Sequence, residues 1–116
     1  MSADTGQLQA LQAVVPGAIF MAEAGNEFIF LPGLTIEVGD SQKRMDALLG
    51  ITAHGGYPTR LFLAELIAER PTINGQPANW TSPVHLGRTW HTWSWAGVPA
   101  SLPWLQILLA HLKALT

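Results

Sequence analysis

Two serines, two histidines and an asparagine fall close together in the chain, at Asn79, Ser82, His85, His91 and Ser94. A serine hydroxyl attacks a carbonyl at neutral pH only when a neighbouring base takes its proton. Neutral imidazole is the side chain best matched to that task. Ser82, Thr81 or Ser94 as nucleophile, His85 or His91 as base, and the amide of Asn74 or Asn79 as oxyanion donor would together carry acyl transfer. The same residues have plainer uses. Thr81-Ser82-Pro83 reads as a turn, Ser94 as a strand residue, and the asparagines as Asx turns. His85 and His91 with Glu65 offer the donor types of a zinc site, but without an i, i+4 pair, so no metal is expected. His54 and His111 read as a turn residue and a helix-surface residue. The chain contains no cysteine, which excludes a thiol nucleophile and thiolate metal sites.

The candidates border a stretch of unusual composition. Leu86 to Trp95 holds three of the five tryptophans, and Arg88 is the only Lys, Arg, Asp or Glu between Pro71 and Leu112. Free surfaces are rich in charge, whereas the centres of interfaces lose charge and gain Trp and Arg. Trp80, Trp90, Trp93 and Trp95 are therefore candidates to line a groove for an extended partner tail, with two of the four expected to be core. Arg88 is expected to pair with a partner's carboxylate or, within the fold, with Glu65 or Glu69.

The whole chain bounds the reading further. Its 116 residues suit a single domain, 1–116, with one core. Charged residues make up 12%, about half the usual share, against 48% hydrophobic, which argues against disorder and for a partner surface. A formal net charge of -2 gives no basic face for nucleic acid. No apolar run approaches the roughly 20 residues of a membrane span, and the polar start, Met-Ser-Ala-Asp-Thr, lacks a basic signal region. A cytoplasmic protein that needs no cofactor is expected.

The elements that must position these residues follow from periodicity. Asp4 or Thr5 can cap a first helix carrying Leu8, Leu11, Val14 and Val15. Strands are expected over Ala18 to Ala24, Glu27 to Leu31 and Leu34 to Val38, the last with strict alternation, with breaks at Gly25-Asn26 and Pro32-Gly33. Met45 to Ala53 reads as a strand or a helical turn, and Leu61 to Ala68 as a strand or short helix. Gly55-Gly56-Tyr57-Pro58 is a sharp turn between them. Arg70 to Pro83 reads as a long loop, and Arg88 to Trp95 as extended, with aromatics on both faces. Ser101 can cap a final helix with Pro103 in its first turn. Leu102, Leu105, Leu109, Leu112 and Leu115 share one face, widened by Trp104, Ile107, Leu108 and His111. The expected fold is α+β: N-terminal helix, antiparallel β-meander, long loop, C-terminal helix, with the helices on one side.

This outline, with several local strings, resembles the ubiquitin-conjugating (E2) fold, of UBC/RWD type. It is similar above all to a bacterial E2-like family encoded near E1-like adenylating enzymes and ubiquitin-like proteins. Gly56-Tyr57-Pro58 before an apolar strand resembles the family's Tyr-Pro turn. Gly87-Arg88-Thr89-Trp90-His91-Thr92-Trp93-Ser94 resembles the bacterial Gly-Arg-x-Trp-x-x-(Trp/Phe)-Ser signature. Pro99-Ala100-Ser101-Leu102 before a Leu-rich helix is similar to the segment after the E2 active site. The likeness spans roughly residues 18 to 115. It implies an E2-like part in bacterial ubiquitin-like conjugation and antiviral defence. The implied partners are an E1-like enzyme, a ubiquitin-like protein and a deconjugating peptidase of the same operon. E2 enzymes carry the ubiquitin-like C-terminus on cysteine, and this chain has none. Arg70-Pro71-Thr72-Ile73-Asn74 only echoes the His-Pro-Asn motif. Three explanations stand open: a variant that only binds and positions, an oxyester on a hydroxyl, or a catalytic cysteine replaced in this sequence.

Overall fold

The computed structural model describes residues 2–38, 40–52, 57–67, 72–73, 76–77, 80–93 and 98–115, with side chains described over 6–38, 40–52, 57–67, 80–93 and 98–114. Helix α1 (Ser2–Gln12) leads into four strands, β1 (Ile19–Glu23), β2 (Asn26–Val38), β3 (Ser41–Gly50) and β4 (Arg60–Leu63). They form one antiparallel sheet in the order β1-β2-β3-β4, a meander. Helix α2 (Trp104–Leu115) follows further along the chain. The fold is α+β, an antiparallel sheet with an N-terminal and a C-terminal helix.

Pro32-Gly33, expected as a break, is a β-bulge within one long strand. The β2–β3 register runs Leu31↔Ala47 and then Leu34↔Met45, so Pro32 and Gly33 together oppose Asp46. Gly33 has φ +63° and donates its N–H to Asp46 Oδ1 at 3.0 Å. Proline survives there because a bulge releases it from the ladder. The extra residue also reverses the in/out phase. Ile29 and Leu31 before it and Leu34, Ile36 and Val38 after it consequently belong to the same core. Pro32 leans on Gly17, where a Cβ would lie 2.7 Å from its Cγ.

The sheet has two apolar faces. On one, Ile29, Leu31, Ala47, Leu49, Leu61 and Leu63 join Leu11 of α1, Val15 just beyond it, and Trp104, Ile107 and Leu108 of α2. On the other, Phe28, Leu48 and Phe62 are joined by Trp90, and among the described residues no helix joins this cluster. The helices are placed as expected, but their details differ. α1 begins at Ser2, so Asp4 and Thr5 lie inside it rather than at its cap. α2 starts at Trp104, whose N–H is accepted by Gln7 Oε1 of α1 at 2.8 Å, so a side chain from the other helix serves where Ser101 was expected. The buried face of α2 is Trp104, Ile107, Leu108, His111 and Ala114, while Leu109 is exposed and Leu105 and Leu112 are half-buried. His111 is thus a core residue, at 2% exposure.

Arg70 to Pro83 is less irregular than its composition suggests. It contains β5 (Thr72–Ile73), β6 (Gln76–Pro77) and β7 (Trp80–Thr81). The later segment holds β8 (Val84–His85), β9 (Arg88–Thr89) and β10 (Thr92–Trp93), paired as β5–β6, β8–β9 and β7–β10. Two tight hairpins turn on residues in the left-handed region, Ala24-Gly25 (φ 53° and 84°) and Leu86-Gly87 (φ 54° and 73°). Two consecutive positive φ values make the two-residue turn whose twist matches flanking strands, and Asn-Gly suits it best. Ala24 has no side-chain compensation for that conformation. Ala24→Asn is expected to raise the unfolding free energy by roughly 0.5–1 kcal/mol in urea titration, with unchanged m-value.

Candidate functional site

Pairing of β7 with β10 places Thr81 opposite Thr92 and Trp80 opposite Trp93. One step beyond, Ser82 meets His91, and Ser82 Oγ lies 2.9 Å from His91 Nδ1. The backbone at His91 is fixed by reciprocal N–H···O=C bonds with Leu63 on the edge of β4, both 2.7 Å. Thr92 Oγ1 donates to Leu61 O at 2.8 Å, and Trp90 N–H donates to Pro83 O at 2.9 Å. The loop carrying Ser82 is therefore tied down on both sides. Ser82 is exposed and His91 half-buried, so a substrate carbonyl can reach the hydroxyl. With the hydroxyl donating to Nδ1, Nε2 carries the ring proton and Nδ1 is the base. Among the described residues no carboxylate bonds to His91, so the contact has the geometry of a hydroxyl–imidazole pair without the third, orienting member of a triad.

The other candidates fall elsewhere. His85 is 8% exposed and lies against the rings of Phe28 (5.0 Å) and Phe62 (4.9 Å), away from solvent, whereas half-buried His91 meets the Ser82 hydroxyl. Asn74, Asn79, Ser94, Trp95 and His54 lie outside the described residues or their side chains. Trp93 is buried in the main core and Trp90 in the second cluster, while Trp80 is half-buried with its ring 5.5 Å from that of Trp93. The alternation read over Arg88 to Trp95 thus holds for these two indoles, which enter opposite faces. Among the described residues no group of three His, Asp or Glu is arranged for a metal ion, and no helix is long and apolar enough to cross a membrane.

Arg88 pairs with Asp46 rather than with Glu65, one of the two carboxylates suggested within the fold; the other, Glu69, lies outside the described residues. Arg88 Nη1 donates to Asp46 Oδ2 at 3.0 Å, and its guanidinium lies 4.6 Å from the Trp90 ring centroid. The Gly33 N–H and then Arg88 hold the Asp46 carboxyl below the usual aspartate range. The Gly-Arg-x-Trp string has a physical reason here. Gly87 supplies the turn, Arg88 stacks on Trp90, and Trp90 Nε1–H donates to His85 O at 3.0 Å, closing the hairpin on itself.

Three groups went unseen in the sequence. Arg60, 9% exposed, packs its guanidinium 4.5 Å from the Tyr57 ring centroid and donates from Nη2 to Trp93 O at 3.3 Å. Burial holds the Arg60 pKa below the arginine range. Thr59 Oγ1 donates to Val98 O at 2.7 Å and sits 3.0 Å from His111 Nε2. The third is an apolar cavity of about 350 Å³ lined by Ile19, Met21, Phe30, Leu86, Arg88 and Trp90. Periodicity shows that β1 is a strand but not that it is an open edge. Compared with family models, with curated proteins and with solved structures, the chain matches none.

Proposed function

We propose that the chain is an E2-like component of a ubiquitin-like conjugation pathway. It receives the C-terminus of a ubiquitin-like protein from an E1-like adenylating enzyme, with Ser82 as acyl acceptor and His91 as base. The observation that carries this reading is the 2.9 Å Ser82–His91 contact on an exposed strand pair. Its place in the chain supports it: the pair follows a helix and a four-stranded antiparallel meander, Tyr57-Pro58 sits between β3 and β4, and a helix follows. In the transfer step Oγ attacks the activated C-terminal carbonyl and a C–O bond forms. The bond to the carrier breaks, the carrier leaves with the electron pair, and the hydroxyl proton passes to His91 Nδ1. The product is an oxyester.

The test is to incubate the chain with the E1-like enzyme, the ubiquitin-like protein and ATP. An adduct that survives thiol reductant and is cleaved by hydroxylamine is expected. Ser82→Ala should abolish it, and His91→Ala should slow it by about 10²–10⁴-fold. An adduct that persists on Ser82→Ala would remove Ser82 from the mechanism. The missing orienting carboxylate favours a second reading, a non-catalytic adaptor of the same pathway. That reading predicts that conjugation tolerates Ser82→Ala, whereas Arg88→Ala weakens partner binding.

A further inference from the structure

The cavity beside β1 opens on a different edge of the sheet from the Ser82–His91 pair. That pair borders β4, and β1 is the opposite edge of the sheet. All five residues of β1 are exposed. Among the described residues its far edge pairs with no strand, so it presents unused N–H and C=O groups. Proteins guard such edges with lysine, proline, bulges or cover. β1 reads Ile-Phe-Met-Ala-Glu, and its one charge, Glu23, accepts the Leu86 N–H at 3.0 Å. Ile19 and Met21, 54% and 36% exposed, stand opposite Phe30 and Phe28 on the sheet face without helices. They form one wall of the cavity. Phe30 and Trp90, with rings edge-to-face at 6.4 Å, are the floor, and Leu86 and Arg88 form the second wall. Leu86 holds φ 54°, a conformation costly for a branched side chain, and its side chain packs on the second cluster.

We infer that β1 and this cavity take up an extended segment of a partner protein, added to the sheet as a fifth strand. Alternate aliphatic side chains of that segment fill the cavity, and a carboxylate of the segment meets Arg88. Two arguments fix the occupant. Ile19 and Met21 are the two apolar residues that β1 exposes on this face, a small patch beside the ~800 Å² per partner of a stable protein–protein contact. That is too little for a flat dimer but enough for a strand, whose affinity comes from main-chain hydrogen bonds and a few pocketed side chains. Among the described residues Arg88 is the only charged one lining the cavity. Its guanidinium is oriented by Trp90, and among the described residues only its Nη1 is engaged, which leaves donors for a second carboxylate.

The test uses the whole chain alone, with neither E1 nor ATP, so its failure leaves acyl transfer untouched. The probe is a blocked hexapeptide of alternating threonine and leucine ending in glutamate, titrated by calorimetry and by amide chemical shifts. Saturable binding with shifts at Ile19 to Ala22 is expected. A peptide with lysine for glutamate should bind at least tenfold more weakly, and Arg88→Glu should reverse that preference. N-methylation of alternate peptide amides should abolish binding. Met21→Lys and Ile19→Lys, both at exposed positions, should weaken it tenfold or more while the remaining amide spectrum is kept. No binding at millimolar peptide, equal binding of the N-methylated peptide, or indifference to the glutamate would overturn the proposal. So would a dimer of the chain that Ile19→Lys dissociates, because the edge would then belong to a second copy.

Discussion

Trp90→Ala is expected to cost about 3–5 kcal/mol of unfolding free energy. The indole is 1% exposed. It joins Phe28, Leu48 and Phe62, with Phe30 and Leu86 packed against them, so its replacement leaves a void in the middle of this cluster. Two further losses add to the void. His85 O loses the Nε1–H donor at 3.0 Å, and Arg88 loses the ring beneath its guanidinium. A domain of this size has only about 5–15 kcal/mol of stability in total, so the variant should sit near its unfolding threshold. Urea titration with near-ultraviolet circular dichroism measures the effect. Trp80→Ala, at a half-buried indole in contact with Trp93, is the comparison and should cost distinctly less. Equal costs for the two would mean that the second cluster contributes little.

The second large effect is with pH. Burial first, and the Arg60 charge second, hold His111 at a pKa of about 4, against 6.5 in the unfolded chain. The Thr59 hydroxyl spends its one proton on Val98 O, so its oxygen accepts from His111 Nε2–H. Between pH 6.5 and about 4 the unfolded chain therefore binds a proton that the folded chain does not, and stability falls as pH falls through that window. The contribution is complete above pH 6.5 and changes no further below about 4. Lowering the pH from 7.5 to 4.5 should remove roughly 2–3 kcal/mol through this group. The measurement is the difference between the parent chain and His111→Gln in urea at both pH values. The variant should lose that much less on acidification, and parallel losses would refute the assignment. Asp46, whose pKa is lowered, acts in a separate window, below about 3.8.

Both residues show where a sequence is legible and where it is not. The alternation of Leu34, Ile36 and Val38 identified a strand because period-2 burial is a local property. The step from Leu31 to Leu34 breaks that period, and only the pairing with β3 shows that Pro32-Gly33 restores it through a bulge. His111 looked like a surface residue because histidine on an amphipathic helix carries no local sign of burial. Its partner, Thr59, is 52 residues away. The residue types of the candidate site were readable, but which histidine meets Ser82 was not. His85 and His91 are equally suitable in type. What separates them is the β7–β10 register, and β7 lies inside a segment whose Pro, Asn and Gly content resembles a loop. The open edge at β1 was hidden for the same reason: exposure of an apolar strand depends on what the rest of the chain leaves uncovered.

The contact between Gly17 and the Pro32 ring has a bearing on how this sequence can diverge. The proline is confined to the bulge, and the glycine leaves it the space of one missing methyl group. Position 17 cannot gain a side chain by itself. A side chain gained at position 17 must be answered by bulk lost at position 32, so the order of the two changes is set, smaller residue at 32 first, although fifteen positions separate them.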